Sequence, residues 1–265
     1  MRECGRFKKG FTLIELVVVV AIIGILVGLL IPMLSYGKFR ARVTTCANNY
    51  RQLTLAAALY AGEDSRGRLP SFVLPTESSQ LVKFQNLSPW LIGLPMLTEM
   101  ETRGITPQMW YCPLRKTWLE NSTSFRAKFG RPLDTAGDLT KFFTVFQNSK
   151  YGFLDLNWWV PRSLAGSSTL TYPDVSLLRT RLNTPWPSKM DDATISTRPI
   201  VSDWMTGNKE ISGDSFASAS GAHTFGGRIR NINSGYADGH LETRSAGNIR
   251  WELQLTDGKN SYIFY

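Results

Sequence analysis

Few residues in this chain are equipped for chemistry. Only two histidines, His223 and His240, occur among its 265 residues. A Ser/His/Asp hydrolase needs one of them beside an activated serine, and the Gly-x-Ser-x-Gly elbow that would present that serine is absent. Cys-x-x-Cys, His-Glu-x-x-His, the P-loop and the Gly-x-Gly-x-x-Gly fingerprint are absent too. What remains is a set of polar residues late in the chain: Asp203, His223, Asp238 and His240. Carboxylates and imidazoles can hold a metal ion. The simpler reading is that Asp238-Gly239 makes a turn and His240 bonds to nearby backbone. That reading is adopted, so no catalytic residue, metal or cofactor is expected and the chain is not read as an enzyme.

Cysteine chemistry is limited as well. Of three cysteines, Cys4 lies near the start, and Cys46 and Cys112 lie well inside. In an oxidising compartment Cys46 and Cys112 could pair, closing a loop of about 65 residues worth roughly 4 kcal/mol in the chain-entropy model. Two buried free thiols are the other alternative, and the sequence leaves both open.

The most unusual charged residue is Glu15. An apolar run extends from Phe11 to Leu34, and from Leu16 to Leu34 there is no charge for 19 residues. As a helix that stretch spans about 28 Å, close to the roughly 30 Å hydrocarbon core of a bilayer. A carboxylate at the edge of such a helix is costly and marks a functional site. The run is too long for the apolar core of a secretory signal peptide, and Leu34-Ser-Tyr-Gly-Lys38 is a poor cleavage site for one. A plain single-span anchor would leave Gly10 and Glu15 without a role.

The elements that must carry these residues follow from periodicity. Beyond Phe39, apolar or small residues recur at Val43, Cys46, Ala47, Tyr50, Leu53, Ala57 and Tyr60, one face of an α-helix. Gly62 ends the pattern. Phe11 to Ala61 is thus predicted as one helix roughly 75 Å long, kinked at Pro32. Gly24 and Gly28 form a Gly-x-x-x-Gly pair, a weak signal for close helix approach. Glu63 to Pro70 reads as a polar loop. Thereafter apolar stretches are short and broken by Pro and Gly, as at Leu91–Leu97 and Met109–Cys112. Asp138–Phe146 reads as a short helix or strand, and Tyr151–Val160 and Ser163–Pro187 as loops and irregular strands. Pro199–Trp204 reads as a buried strand ending in a polar site. Arg228–Ala237 and His240–Thr243 form a hairpin around Asp238-Gly239. Ile249–Leu255 alternates as a half-buried strand; Asp257-Gly258 turns into a last strand, Ser261–Tyr265. The fold class is α+β, a long helix packed on an antiparallel sheet. All eight tryptophans lie between Trp90 and Trp251; core packing is the preferred role for them over a sugar-binding platform.

The formal net charge is +9. Arg2, Arg6, Lys8 and Lys9 precede Phe11, while Lys38, Arg40 and Arg42 follow the apolar run, so the positive-inside count is nearly balanced. No run of Lys or Arg exceeds two, so a solvated basic surface is preferred over nucleic-acid binding.

Lys8-Lys-Gly-Phe-Thr-Leu-Ile-Glu15 closely resembles the processing site of type IV prepilins and type II secretion pseudopilins. The resemblance implies cleavage between Gly10 and Phe11 by a prepilin peptidase/methyltransferase, N-methylation of Phe11, and a Glu15 that sets register on assembly. It also implies an organisation: residues 1–10 a leader, 11–34 the transmembrane half of the helix, 35–62 its amphipathic half, and 63–265 an extracytoplasmic globular domain. The chain would cross the inner (cytoplasmic) membrane once, with its bulk in the periplasm or in a filament. Its partners would be membrane lipid, other pilin or pseudopilin subunits and the inner-membrane assembly machinery. The product would be a type IV pilus or a type II secretion pseudopilus. Competing readings are a membrane-anchored binding or enzymatic domain that never polymerises, and a minor tip pilin that binds DNA or glycan.

Further blocks carry a second resemblance. Cys46-Ala-Asn-Asn-Tyr-Arg-Gln-Leu53, Gly67-Arg-Leu-Pro70, Tyr111-Cys-Pro113 and Tyr236-Ala-Asp-Gly-His240 are similar to a pseudopilin-like group of Planctomycetes and Verrucomicrobia with a His…Asp-Gly motif near the C-terminus. That group spaces the two parts by nine residues, whereas fourteen separate His223 from Asp238 here.

Overall fold

A computed structural model describes residues 11–73, 89–163, 171–172, 179–180, 184–207, 220–255 and 261–264. The leader, Asp257-Gly258, Tyr265 and most of Ser163–Pro187 lie outside the described residues. The chain divides into two compact units, Met1–Ala41 and Arg42–Tyr265.

Within the first unit, helix α1 begins; it runs from Leu13 to Glu63, 51 residues, starting and ending two residues later than expected. Pro32 removes one ladder hydrogen bond but does not end it. Every residue from Phe11 to Lys38 is exposed, although nearly all to Leu34 are apolar. Such a surface has no favourable contact with water and calls for lipid or another apolar helix.

In the second unit, the remainder of α1 buries the predicted stripe. Val43, Cys46, Tyr50, Leu53 and Ala57 are buried, while Ala47 and Tyr60 are half-buried. The helix ends in a tight polar loop in which the Asp64 carboxylate accepts from the backbone N–H groups of Arg66 and Arg68.

The central sheet has five antiparallel strands: Leu156–Trp158, Pro199–Asp203, Arg228–Tyr236, His223–Phe225 and Leu241–Ser245. The long strand Arg228–Tyr236 organises it. One edge carries Leu241–Ser245, with Asn231 opposite Ser245 and Gly235 opposite Leu241. Its other edge carries two strands end to end: Pro199–Asp203 pairs at Ser234 to Tyr236, and His223–Phe225 pairs at Arg228 to Asn231. Helix α1 packs directly on this sheet at Gly235, where an added Cβ would stand 2.8 Å from Thr54 Cγ2 and 2.9 Å from Val201 Cγ1.

A second five-stranded sheet contains Arg179–Thr180, Trp251–Leu255, Ser261–Phe264, Met205–Gly207 and Ser220–Gly221. The chain passes between the two sheets at Trp204 and again at Ala222. These corners are tied by a hydrogen bond from Ala222 N–H to the Trp204 carbonyl at 2.9 Å.

The predicted hairpin and last strands are present, with Trp251–Leu255 two residues shorter at its start because Ala246–Asn248 forms a 3-10 turn. The middle of the chain is more regular than its sequence suggested. Tyr151–Phe153 and Leu156–Trp158 are true strands; Leu156–Trp158 is fully buried and so lacks the polar alternation that would announce it. Asp138–Phe146 resolves into a helix, Ala136–Lys141, that continues as a π-helical turn, Phe142–Phe146. Two further helices, Pro95–Glu101 and Thr117–Phe129, were not anticipated. The second buries only Phe125 fully and therefore shows little apolar periodicity. Its readable signal is Gly130, which closes it in the left-handed conformation at φ 70°. Trp110, Trp158, Trp159 and Trp186 are buried, which is core packing; Trp159 and Trp186 stack with centroids 5.1 Å apart.

Candidate functional site

The start of α1 is a reciprocal hydrogen-bonded cap. The backbone N–H and the hydroxyl of Thr12 both donate to Glu15 Oε2, at 2.9 and 2.7 Å. The Glu15 backbone N–H donates to Thr12 Oγ1 at 3.3 Å. Thr12-Leu-Ile-Glu15 is thus a capping box, and its Thr-x-x-Glu spacing was legible in the sequence. Glu15 therefore holds the first turn of the helix as well as standing at the edge of the apolar run. Gly10 lies outside the described residues; Phe11 is exposed beside the cap.

The polar residues singled out late in the chain do not form one site. Asp238 and His240 sit on the exposed hairpin turn, where Asp238 Oδ1 accepts from the His240 backbone N–H at 3.1 Å and lies 2.6 Å from His240 Nδ1. The His240 ring stacks on Tyr236, centroids 3.9 Å apart. Asp203 and His223 are instead buried, and Cys46 and Cys112 join them there. One ligand-capable atom from each of Cys46, Cys112, Asp203 and His223 lies within 4.8 Å of all the others. His223 faces Asp203, not Asp238.

Four separated segments deliver this cluster. Cys46 lies on the buried stripe of α1. Cys112 follows the 3-10 turn Pro107–Trp110; the segment after it is fixed by Asp155, which pairs with Arg115 at 3.1 Å and accepts from the Thr117 hydroxyl at 3.1 Å. Asp203 ends one strand and His223 begins another, and the two strands meet along the same edge of Arg228–Tyr236. The Trp204–Ala222 tie sets that meeting point. Gly221 adopts φ +98° there, and an added Cβ would fall 2.0 Å from the Trp204 carbonyl oxygen.

Around the four donors the contacts are dense. Asp203 Oδ1 accepts from the Tyr50 hydroxyl at 2.7 Å and from the Cys46 thiol at 3.3 Å. Asp203 Oδ2 accepts from the Asn233 backbone N–H at 2.6 Å. The Asn233 side-chain amide donates to the Val43 carbonyl at 3.1 Å, which ties this strand to α1. His223 Nδ1 lies 2.8 Å from Asn231 Oδ1, an acceptor, so Nδ1 carries the proton. His223 Nε2 lies 3.2 Å from Asp203 Oδ2 but is not aligned for a hydrogen bond, and among the described residues this buried nitrogen has no hydrogen-bond partner. Tyr50, Asn231 and Asn233 were not singled out from the sequence. The only available signal was that Asn231 and Asn233 share one face of a strand.

Burial alone would keep His223 neutral, but the Asp203 carboxylate and Cys112 outweigh it and raise its pKa to about 11. Burial likewise opposes charge on Asp203, yet His223, Tyr50 and the Asn233 N–H hold its carboxyl below the usual range. Cys112, burial and Asp203 push the Cys46 thiol up, while Cys46 and His223 draw Cys112 down. Without a bound ion, the cluster is an ionic, hydrogen-bonded core with both sulfurs free.

Residues 5–31 match the family model described as the prokaryotic N-terminal methylation motif. The match takes in Gly10, Phe11, Thr12, Glu15 and most of the apolar run. No curated protein and no solved structure matches the chain. The motif supports a type IV pilin-like precursor, and one long apolar helix fits a single-pass membrane anchor.

Proposed function

We propose that this protein is a structural pilin or pseudopilin subunit. A prepilin peptidase/methyltransferase cuts between Gly10 and Phe11 and methylates Phe11. The mature chain then joins a helical filament through α1, with Glu15 setting its register and residues 63–265 outside the cytoplasm. The observation that carries this reading is the methylation motif set on a helix whose apolar residues, Phe11 to Leu34, are all exposed. A surface of that kind is stable in lipid, and equally stable against identical helices once lipid is left behind. The Cys46–Leu53, Gly67–Pro70, Tyr111–Pro113 and Tyr236–His240 blocks support placing the chain with the planctomycete and verrucomicrobial pseudopilin-like group. The protein itself has no catalytic role in this reading.

The test is the N-terminus of the protein taken from membranes that contain the peptidase. It should begin at methylated Phe11. Replacing Gly10 with Val, whose branched side chain does not fit a cleft made for glycine, should leave the full-length precursor in the membrane. A mature mass unchanged in Gly10→Val would remove the processing step. Normal processing without any filament would favour an anchored domain that does not polymerise.

A further inference from the structure

We propose that Cys46, Cys112, Asp203 and His223 form a structural transition-metal site that takes Zn2+ and clamps helix α1 to the central sheet.

The geometry is that of a closed site. Two sulfurs, one imidazole nitrogen and one carboxylate oxygen converge within 4.8 Å of one another. Zinc bonds of about 2.0–2.3 Å in a tetrahedron place ligand atoms roughly 3.3–3.8 Å apart. The Cys46 Sγ to Asp203 Oδ1 distance is 3.3 Å, the length of one such edge, and His223 Nε2 stands 3.2 Å from the other oxygen of the same carboxylate, Oδ2. The donor set suits zinc: thiolates and imidazole select it over calcium or magnesium, which take oxygen ligands. Four protein donors leave no open position, which is the pattern of a structural rather than a catalytic zinc.

An independent observation points the same way. His223 Nε2 is buried, faces Asp203 Oδ2 at 3.2 Å without an aligned hydrogen bond among the described residues, and its other nitrogen is held by Asn231 Oδ1. A ligating histidine is normally fixed in this manner, with Nδ1–H donated to an acceptor and Nε2 left for the metal. Asp203 has its own supports in Tyr50 and the Asn233 N–H. The outer contacts that orient metal ligands are thus in place. A cleft of about 610 Å³, lined among others by Asn49, Tyr111 and Cys112, reaches the cluster at Cys112 and offers an entry path.

The ion also resolves a cost of the fold. A buried carboxylate facing a buried imidazole and two thiols is an expensive arrangement when its groups are incompletely paired. Zn2+ binding displaces the protons on sulfur and on Nε2 and replaces them with one cation bonded to all four donors. The clamp joins α1, the Cys112 segment and two strands from opposite sides of the Trp204–Ala222 junction. It acts in the subunit, whether or not that subunit polymerises.

The test uses the full-length chain in detergent, reduced without oxygen, incubated with Zn2+ and freed of loose metal by a weak chelator. One zinc per chain is expected, lost in Cys112→Ser and in His223→Ala. Since those variants remove buried groups, Asn231→Ala serves as the milder probe. It keeps all four donors and should weaken zinc binding roughly 10–100-fold in a chelator competition. Co2+ in place of Zn2+ should give the thiolate-to-metal absorption of a tetrahedral site, missing in Cys112→Ser. Both cysteines should resist alkylation in the native zinc form and react after chelation and denaturation. Zinc content no higher than in a Cys46→Ser, Cys112→Ser double variant would overturn the proposal. So would chain isolated without reductant that contains no metal and whose one free thiol is Cys4, because Cys46 and Cys112 are then a disulfide.

Discussion

Glu15 meets two different demands. In the single chain its carboxylate caps α1, with the Thr12 N–H and hydroxyl both on Oε2. The proposed cleavage would leave Thr12 and Glu15 untouched but create a cation, the Phe11 amine, four residues away. N-methylation preserves that charge. Among the described residues Oε1 has no partner, so the capped carboxylate still has lone pairs for the amine of a neighbouring subunit. Along a surface of Val, Ile and Leu, such a charge pair is the feature that distinguishes one axial register from the next. A carboxylate at mid-bilayer depth costs about 2.5–3.5 kcal/mol and less near the headgroups, so its loss does not impede insertion. Glu15→Val and Glu15→Leu should therefore insert and be cleaved normally, yet show sharply reduced crosslinking between neighbouring N-terminal helices. Filaments of wild-type yield from these variants would restrict Glu15 to capping the helix and marking the site for methylation.

At the scale of elements, the start of the helix Ala136–Lys141 shows how a local signal becomes stability. Thr135 and Asp138 form a second capping box: the Asp138 N–H donates to Thr135 Oγ1 at 3.1 Å and the Thr135 N–H to Asp138 Oδ2 at 3.2 Å. Arg131 pairs with the same carboxylate. Burial opposes the charge on Asp138, but Arg131, Thr135 and the Asp134 N–H prevail and lower its pKa to about 2. A depressed carboxyl pKa adds stability that is complete above the unfolded value near 3.8 and is lost as the pH falls through about 2. Asp138→Asn should cost about 1 kcal/mol at neutral pH, a fall of roughly 2–4 °C in Tm for a domain of this size. The gap between variant and wild type, followed by thermal denaturation, should narrow as the pH is lowered from 5 towards 3. A gap independent of pH would mean that the charge contributes nothing and that only the cap geometry matters.

For the whole molecule, the decisive feature is the junction where the chain changes sheets twice. Gly221 permits it: its φ of +98° and its approach to the Trp204 carbonyl leave no room for a side chain. Gly221→Ala combines a left-handed backbone with a backbone clash, and should cost at least about 3 kcal/mol, roughly 6–12 °C in Tm. Gly247, with nothing within 4 Å of an added Cβ, is the control, and Gly247→Ala should melt within a degree or two of wild type. Equal melting of Gly221→Ala and wild type would mean that the corner rearranges freely and does not set the positions of Asp203 and His223.

The parts of this protein legible in its sequence are those in which neighbours along the chain suffice. The apolar run, the leader pattern, the stripe from Val43 to Ala57 and the Asp238-Gly239 hairpin are all local periodicities or short motifs. The capping boxes at Thr12 and Thr135 are local too and were there to be read. The helices at Pro95–Glu101 and Thr117–Phe129 and the strand Leu156–Trp158 were missed because their apolar patterns are weak or unbroken, and packing rather than propensity selects their form. The sequence by itself determined the long apolar helix and its N-terminal methylation motif, since length, charge and spacing along one helix are enough to specify both. It suggested Asp203, His223, Asp238 and His240 as a group without deciding which of them meet. Only the tertiary structure separated the exposed Asp238–His240 pair from the buried Asp203–His223 pair and added Cys46 and Cys112 to the latter. The physical reason is that those four side chains come from segments far apart in sequence. Their meeting depends on α1 lying against Gly235, two strands sharing one edge of Arg228–Tyr236, and a glycine at the corner between sheets, none of which leaves a periodic trace in the chain.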